Sequence, residues 1–297
     1  MKETVIKSIV AGAIIAISFT SCNNGGKEEA LSAADSAALM ESKQKAQKVF
    51  FAIPSPLEMA NMIKQSGASF NKSILNPTSN ASKYSNTVSQ AVNLGIYSAD
   101  LSYCSSFDQT QDAMQYMSTS KKLADALGVT GALSENTLLR LEKNVNNKDS
   151  LLDLVSESYA ATDAFLREND RASTTALIVA GGWLEAIYIS TKLASSAKAN
   201  SPIVTRIGEQ KDILKNLINL VESYPGDKNL EGVLVDLKAI YAIYESGVEV
   251  KVESGIIKTD ETAKKTVIED TSEITMSPEK LAEITKKVAE IRNNYIK

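Results

Sequence analysis

The chain predicts a mainly α-helical fold, a multi-helix bundle or irregular α-α array that ends in a small C-terminal β-hairpin. Three observations carry this expectation. Apolar residues recur every three to four positions over most of residues 84–246. Two stretches, 88–104 and 176–189, are so apolar that other helices must cover them on nearly all sides. After residue 247 the period drops to two, with Val248, Val250 and Val252 alternating with Glu249, Lys251 and Glu253.

The elements follow in order. Residues 28–50 are rich in Ala, Glu and Lys with apolar residues on one side, which predicts a spacer helix. Pro54 and Pro56 break it, and a short amphipathic piece from Leu57 to Gln65 stops at Gly67. Residues 71–83 are dense in Asn, Ser and Lys with one Pro, the composition of a surface loop. From Tyr84 onward Val88, Val92, Gly95, Ala99 and Tyr103 share one helical face, while Leu94, Tyr97, Leu101 and Cys104 share the adjoining one, so this helix is central. Further helices are expected at 108–127, opened by Asp108 and closed by Gly128, at 135–145, and at 149–168 behind an Asp149-Ser150 cap.

A helix over about 171–197 carries no polar side chain from Ala176 to Leu184; its apolar run from Ala176 to Ile189 is short for a membrane span and reads as the spine of a bundle. Helices at 203–223 and 228–246 flank the turn Tyr224-Pro225-Gly226-Asp227. The alternating Val248 to Val252 and the Thr-, Val- and Ile-rich 266–274 form a hairpin or a flexible excursion. A last helix starts at Ser277-Pro278-Glu279 and places Leu281, Ile284, Val288, Ile291 and Tyr295 in a narrow docking stripe.

The first residues set the destination. Met1 to Lys7 is a short basic start, Ile9 to Phe19 is apolar, and Thr20-Ser21-Cys22 leads into the polar string Asn23-Asn24-Gly25-Gly26. This resembles the signal peptides of bacterial lipoprotein precursors, and Phe19, where an aliphatic residue is usual, resembles the relaxed pattern of Bacteroidota-type lipoproteins. The body, with Phe51-Ala52-Ile53-Pro54, Asn93-Leu94-Gly95-Ile96 and Gly181-Gly182-Trp183-Leu184, is similar to uncharacterised helical lipoproteins of that group. The resemblance implies lipid attachment at Cys22 and a cell-envelope, outer-membrane location, facing the periplasm or the exterior. With the periodicities above it gives this division: 1–21 signal peptide and 22–27 lipidated tether from the resemblance, then 28–246 helical body, 247–276 hairpin or excursion, and 277–297 docking helix from the residue patterns. Asp35-Ser36-Ala37 and Asp149-Ser150-Leu151 are similar to the O-glycosylation sequon of the same group; Ser36, near the tether, is the glycosylation candidate, while Ser150 suits a helix cap.

Composition excludes several function classes. Without residues 1–21, Lys plus Arg falls from 32 to 30 and Asp plus Glu from 36 to 35, a formal charge of −5 with both signs interleaved. Nucleic acid is not an expected partner, because phosphate binding needs a basic face. There is no histidine, which removes Ser-His-Asp and Cys-His catalysis and histidine metal and haem ligation. With Cys22 acylated, Cys104 is the sole thiol, so no intrachain disulfide forms and stability must come from packing. No metal or cofactor is expected: Asp227-Lys228-Asn229-Leu230-Glu231-Gly232 is similar to half of an EF-hand loop, but its twelfth position is Lys238.

Two acids stand out because they lie in apolar helices. Asp100 sits between Tyr97 and Tyr103, and Glu185 follows Gly181-Gly182-Trp183-Leu184 and precedes Tyr188. A buried carboxylate costs several kcal/mol unless paired, so either Tyr97, Asp100, Tyr103, Trp183, Glu185 and Tyr188 line a polar ligand pocket between facing helices, or both acids are satisfied by tyrosine hydroxyls and lysines in a packed core. The expected function is a lipid-anchored envelope protein acting as a non-catalytic binding or interaction module, with an envelope protein as partner. The alternatives are a surface lipoprotein that captures a small ligand for nutrient uptake, and a carboxylate-dependent hydrolase.

Overall fold

The computed structural model describes residues 56–130, 139–140, 143–144, 147–169, 171–194, 201–260 and 265–297. The expected signal peptide, tether and spacer helix, with Cys22 and Ser36, and most of the helix expected at 135–145 lie outside the described residues. The architecture is mainly α with one two-stranded antiparallel sheet near the C-terminus.

Helix α1 (Pro56–Gln65) begins at Pro56. The proline opens this helix, since its missing N–H is one a first turn leaves unpaired anyway. Gly67 ends the segment with φ +83. Two 3₁₀ turns follow, Lys72–Ile74 and Thr78–Lys83. This stretch departs from the surface loop the composition suggests, because Leu75 and Asn76 between the turns are buried at 4% and 0% exposure.

Helix α2 (Thr87–Ser106) starts at a reciprocal capping box in which Asn86 accepts from the Ser89 N–H while the Ser89 hydroxyl faces the Asn86 N–H. Helix α3 (Thr110–Ala126) packs against it. Asp108 is not the cap of α3: it sits at φ 61 and turns the chain between the helices, a left-handed conformation that Asp tolerates better than most residues. Gly128 ends this segment at φ +66, as its position suggests. Helix α4 (Lys148–Glu168) is capped by Asn147, whose side chain accepts from the Ser150 N–H. The cap lies two residues earlier than Asp149-Ser150 implies.

Helix α5 (Ala172–Ala194) is the spine. By length and composition it could cross a bilayer, but 94% of its most apolar window is buried inside the fold. It packs along α2 so closely that both helices need glycine at the crossing. A Cβ on Gly95 would overlap the Ile178 carbonyl oxygen, and one on Gly181 would overlap that of Val92. Backbone meets backbone there, which is the closest approach two helices can make.

Helices α6 (Pro202–Glu222) and α7 (Lys228–Glu245) pack on one another and on α5. Asp227 caps α7 by accepting from the Asn229 N–H at 2.9 Å, and Lys238 pairs with Glu222 at 2.6 Å, so the EF-hand-like stretch opens a helix. Strands β1 (Val248–Asp260) and β2 (Lys265–Met276) pair from Val248↔Met276 to Asp260↔Lys265, with a register shift between Glu253 and Ile256. At about 3.3 Å per residue the ribbon is about 40 Å long. Its base is fixed to the body: Val248 and Met276 are buried, and Lys211 donates to the Val248 carbonyl at 2.6 Å.

Helix α8 (Pro278–Tyr295) is capped by Ser277, which accepts from the Lys280 N–H. Its stripe of Ile284, Val288 and Ile291 is buried against α5 and α7. Burying one such side chain contributes about 1.5–3 kcal/mol, enough to fix a helix whose exposed face is charged.

Candidate functional site

The close crossing of α2 and α5 brings Asp100 and Glu185 within hydrogen-bonding reach of each other, both at 0% exposure. The cation between them comes from α8. Arg292 Nε donates to Glu185 Oε2 at 2.8 Å and its terminal NH2 to Oε1 at 2.7 Å, a bidentate pair at full burial. The same NH2 reaches the Ile74 carbonyl at 3.2 Å, and the guanidinium lies 4.4 Å from the centre of the Tyr188 ring. Burial works against the charge on Arg292, but Glu185 outweighs it and raises the group above its already high ordinary value.

Asp100 is held differently. Its Oδ2 accepts the Asn76 N–H at 3.2 Å, and its Oδ1 meets no donor. Burial, followed by the adjacent Glu185 carboxylate, holds Asp100 well above the ordinary carboxylate range, with Arg292 opposing.

Asn76 organises the loop side of the cluster. Its N–H serves Asp100, its Nδ2 donates to the Tyr84 hydroxyl and to Asn93 Oδ1, its Oδ1 accepts from Asn80, and its carbonyl accepts from the Tyr116 hydroxyl. Every polar group of this buried residue is paired. Asn76→Ala would strand several partners, each at about 1–3 kcal/mol, so chemical denaturation should show a loss of about 3 kcal/mol for the set. Asn93 continues the network by donating to the Tyr295 carbonyl at 2.9 Å, and the Tyr84 hydroxyl faces the Ile296 carbonyl at 3.5 Å. The end of α8 is thereby tied to α2 and to the loop.

Of the six residues that the sequence marks as a candidate pocket, Asp100, Glu185 and Tyr188 meet in this cluster. Tyr97 borders it, with its hydroxyl donating to the Pro77 carbonyl at 2.9 Å and its titration raised by burial. Tyr103 and Trp183 go elsewhere. Tyr103 receives the Asn71 N–H at 2.9 Å, stacks on Phe70, and is pushed up to about 12 mainly by burial. Trp183 donates to Gln210 on α6 at 3.2 Å. Residues two apart on a helix face different ways, so Trp183 and Glu185 cannot line one wall.

Sequence reasoning misses Arg292 and Asn76. Arg292 had one signal: it follows Val288 by four positions, next to a docking stripe. Asn76 had none within a segment of small polar residues. A cavity of about 10 Å³ is lined by Val92, Gly181, Leu184, Leu237 and Ile291 among others, and none of Asp100, Glu185, Arg292 or Asn76 lines it. That is room for about one water, not a ligand. Among the described residues no group of three or more Cys, Asp or Glu could hold a metal ion.

What the cluster can do chemically follows from its closure. The Glu185–Arg292 pair, its contact to the Ile74 carbonyl and the Asn76 bond to Asp100 bind three helices and the loop together, and Asp100 Oδ1 is the one group of the cluster left without a donor. No protein family, curated protein or solved structure matches this chain.

Proposed function

We propose that the chain is a lipid-anchored envelope protein acting as a non-catalytic interaction module, tethered through acylated Cys22 and presenting the β1–β2 ribbon to a protein partner. The observation that carries this reading is the closure of the Asp100, Glu185 and Arg292 group. The acids that the sequence marks for chemistry are spent on the fold, with side chains at 0% and 4% exposure for the Glu185 and Arg292 pair. A hydrolase would need one of them to reach a substrate. The ribbon supports the second half of the reading. Among the described residues each of its strands pairs only with the other, which leaves each with a second edge of backbone donors and acceptors suited to strand addition.

The tests are direct. Growth with a labelled fatty acid should label the wild type and not Cys22→Ser; an unlabelled wild type removes the anchor. Crosslinking in intact cells should co-purify an envelope protein, and replacing residues 252–272 by Asn-Gly next to the Lys251↔Glu273 pair should abolish that capture without changing the melting of the helical body. A ligand-dependent change in Trp183 fluorescence would favour nutrient capture instead. Turnover that disappears in Glu185→Gln would establish the hydrolase.

A further inference from the structure

Two acids and one guanidinium share a junction at no more than 3% exposure. The groups that act on Asp100 come from every element around it: Glu185 and Tyr188 from α5, Arg292 from α8, Tyr116 from α3, Tyr97 and Cys104 from its own helix, and the Asn76 N–H from the loop. Arg292 is the cation among them, and both of its contacts to a carboxyl group go to Glu185. Glu185 is therefore compensated. Asp100 keeps Oδ2 on an N–H while Oδ1 has no donor, and the Glu185 carboxylate lies within hydrogen-bonding reach of the group.

We infer that Asp100 is a resident proton-binding site: its Oδ1 carries a proton donated to the Glu185 carboxylate, which makes the junction of α2, α5 and α8 a neutral, pH-sensitive lock. The proton turns Oδ1 from an acceptor without a donor into a donor with an acceptor, and it brings two carboxyl groups and one guanidinium to zero net charge. An unpartnered buried oxygen and an excess buried charge are both costly, and one proton removes both. Glu185 is the poorer holder, because protonating it would weaken the bidentate pair. The raised titration of Asp100 agrees with this placement.

The sign of the pH effect follows from linkage. The folded protein holds a proton on Asp100 that the unfolded chain releases at about pH 4, so between that value and the folded pKa the folded state binds more protons. Stability derived from this site falls as pH rises across that window. The inference extends the structural role given to the cluster above and does not depend on the lipid anchor or on the partner.

Infrared spectroscopy of the full mature chain at about neutral pH should show a protonated-carboxyl carbonyl band that shifts on carbon-13 labelling of aspartate and vanishes on unfolding. Absence of that band overturns the inference. Asp100→Asn replaces the proton with an amide donor of the same shape, so its melting temperature should match or exceed that of the wild type at neutral pH. The difference in its favour should grow by roughly 3 °C per pH unit over the window. A variant that melts lower than the wild type by a constant amount at every pH would show an ionised Asp100 and would also overturn it. The infrared arm needs no variant, so the inference stays testable if Asp100→Asn does not fold.

Discussion

Arg292→Met should lower the free energy of unfolding by about 3–5 kcal/mol, the largest loss expected from any surface-charge-like position in the last helix. Arg292 has the composition of a solvated helix end around it, yet it is 3% exposed and supplies the compensating charge for Glu185. Removing it leaves Glu185 ionised beside Asp100 without a cation, or forces a second proton into the junction. Urea titration followed by circular dichroism measures the loss. Arg292→Lys should recover only part of it, because an ammonium cannot repeat the two parallel contacts or the position over Tyr188. Glu185→Gln combined with Arg292→Met should cost less than the sum of the single changes, since the second substitution removes the charge that the first strands. Equal losses for Arg292→Met and for an exposed arginine such as Arg140 would contradict the assignment.

Gly181→Ala is the second change with a large expected effect, about 3 kcal/mol or more. The added methyl group would meet the Val92 carbonyl oxygen, a backbone atom that no rotamer change can move aside. Gly95→Ala should behave alike against Ile178. Either change would push α2 and α5 outward by a fraction of a methyl diameter and would separate Asp100 from Glu185 as well. The double variant should therefore be less destabilised than the sum of the singles, because the first methyl already opens the crossing that the second needs. Thermal melting of the three variants tests this. Substitution at Gly232, which has open space around it, is the control and should change stability little.

Much of this molecule is legible in its sequence because helix formation is a local pattern. The spacing of Val88, Val92, Gly95 and Ala99, and the unbroken apolar run after Ala176, require partner helices on several sides, whereas the crossing of the two helices at Gly95 and Gly181 is visible only in the structure. That Asp100 and Glu185 each need a partner is also readable, since each would be ruinous alone in an apolar helix. What supplies that partner is not readable. Arg292 belongs to a helix whose composition is charged, and it reaches Glu185 across 107 residues of sequence, a distance over which spacing rules say nothing. Asn76 was concealed by neighbours that look like solvent-facing loop. Helix starts were misjudged by one or two residues where several polar residues compete for the cap, as Asn147 does with Asp149 and Ser150. The ribbon is longer than its clearest alternation implies, because Ser254-Gly255 interrupts the pattern where the register shifts.

The last turn of α8 ties together parts of the chain made at very different times. Its bonds run to Glu185, to Asn93 and to Ile74, which precede it by 107, 202 and 218 residues. A chain emerging from a ribosome or a translocation channel would thus expose its central acids long before the guanidinium that settles them exists. Closure of so many long loops at once favours slow, all-or-none assembly over stepwise growth. A product truncated before Arg292 would retain most of its apolar surface and nearly all of its helices, and would still fail at a single junction. A protease would meet it as an open body, so the junction separates copies that carry Arg292 from those that stop short of it.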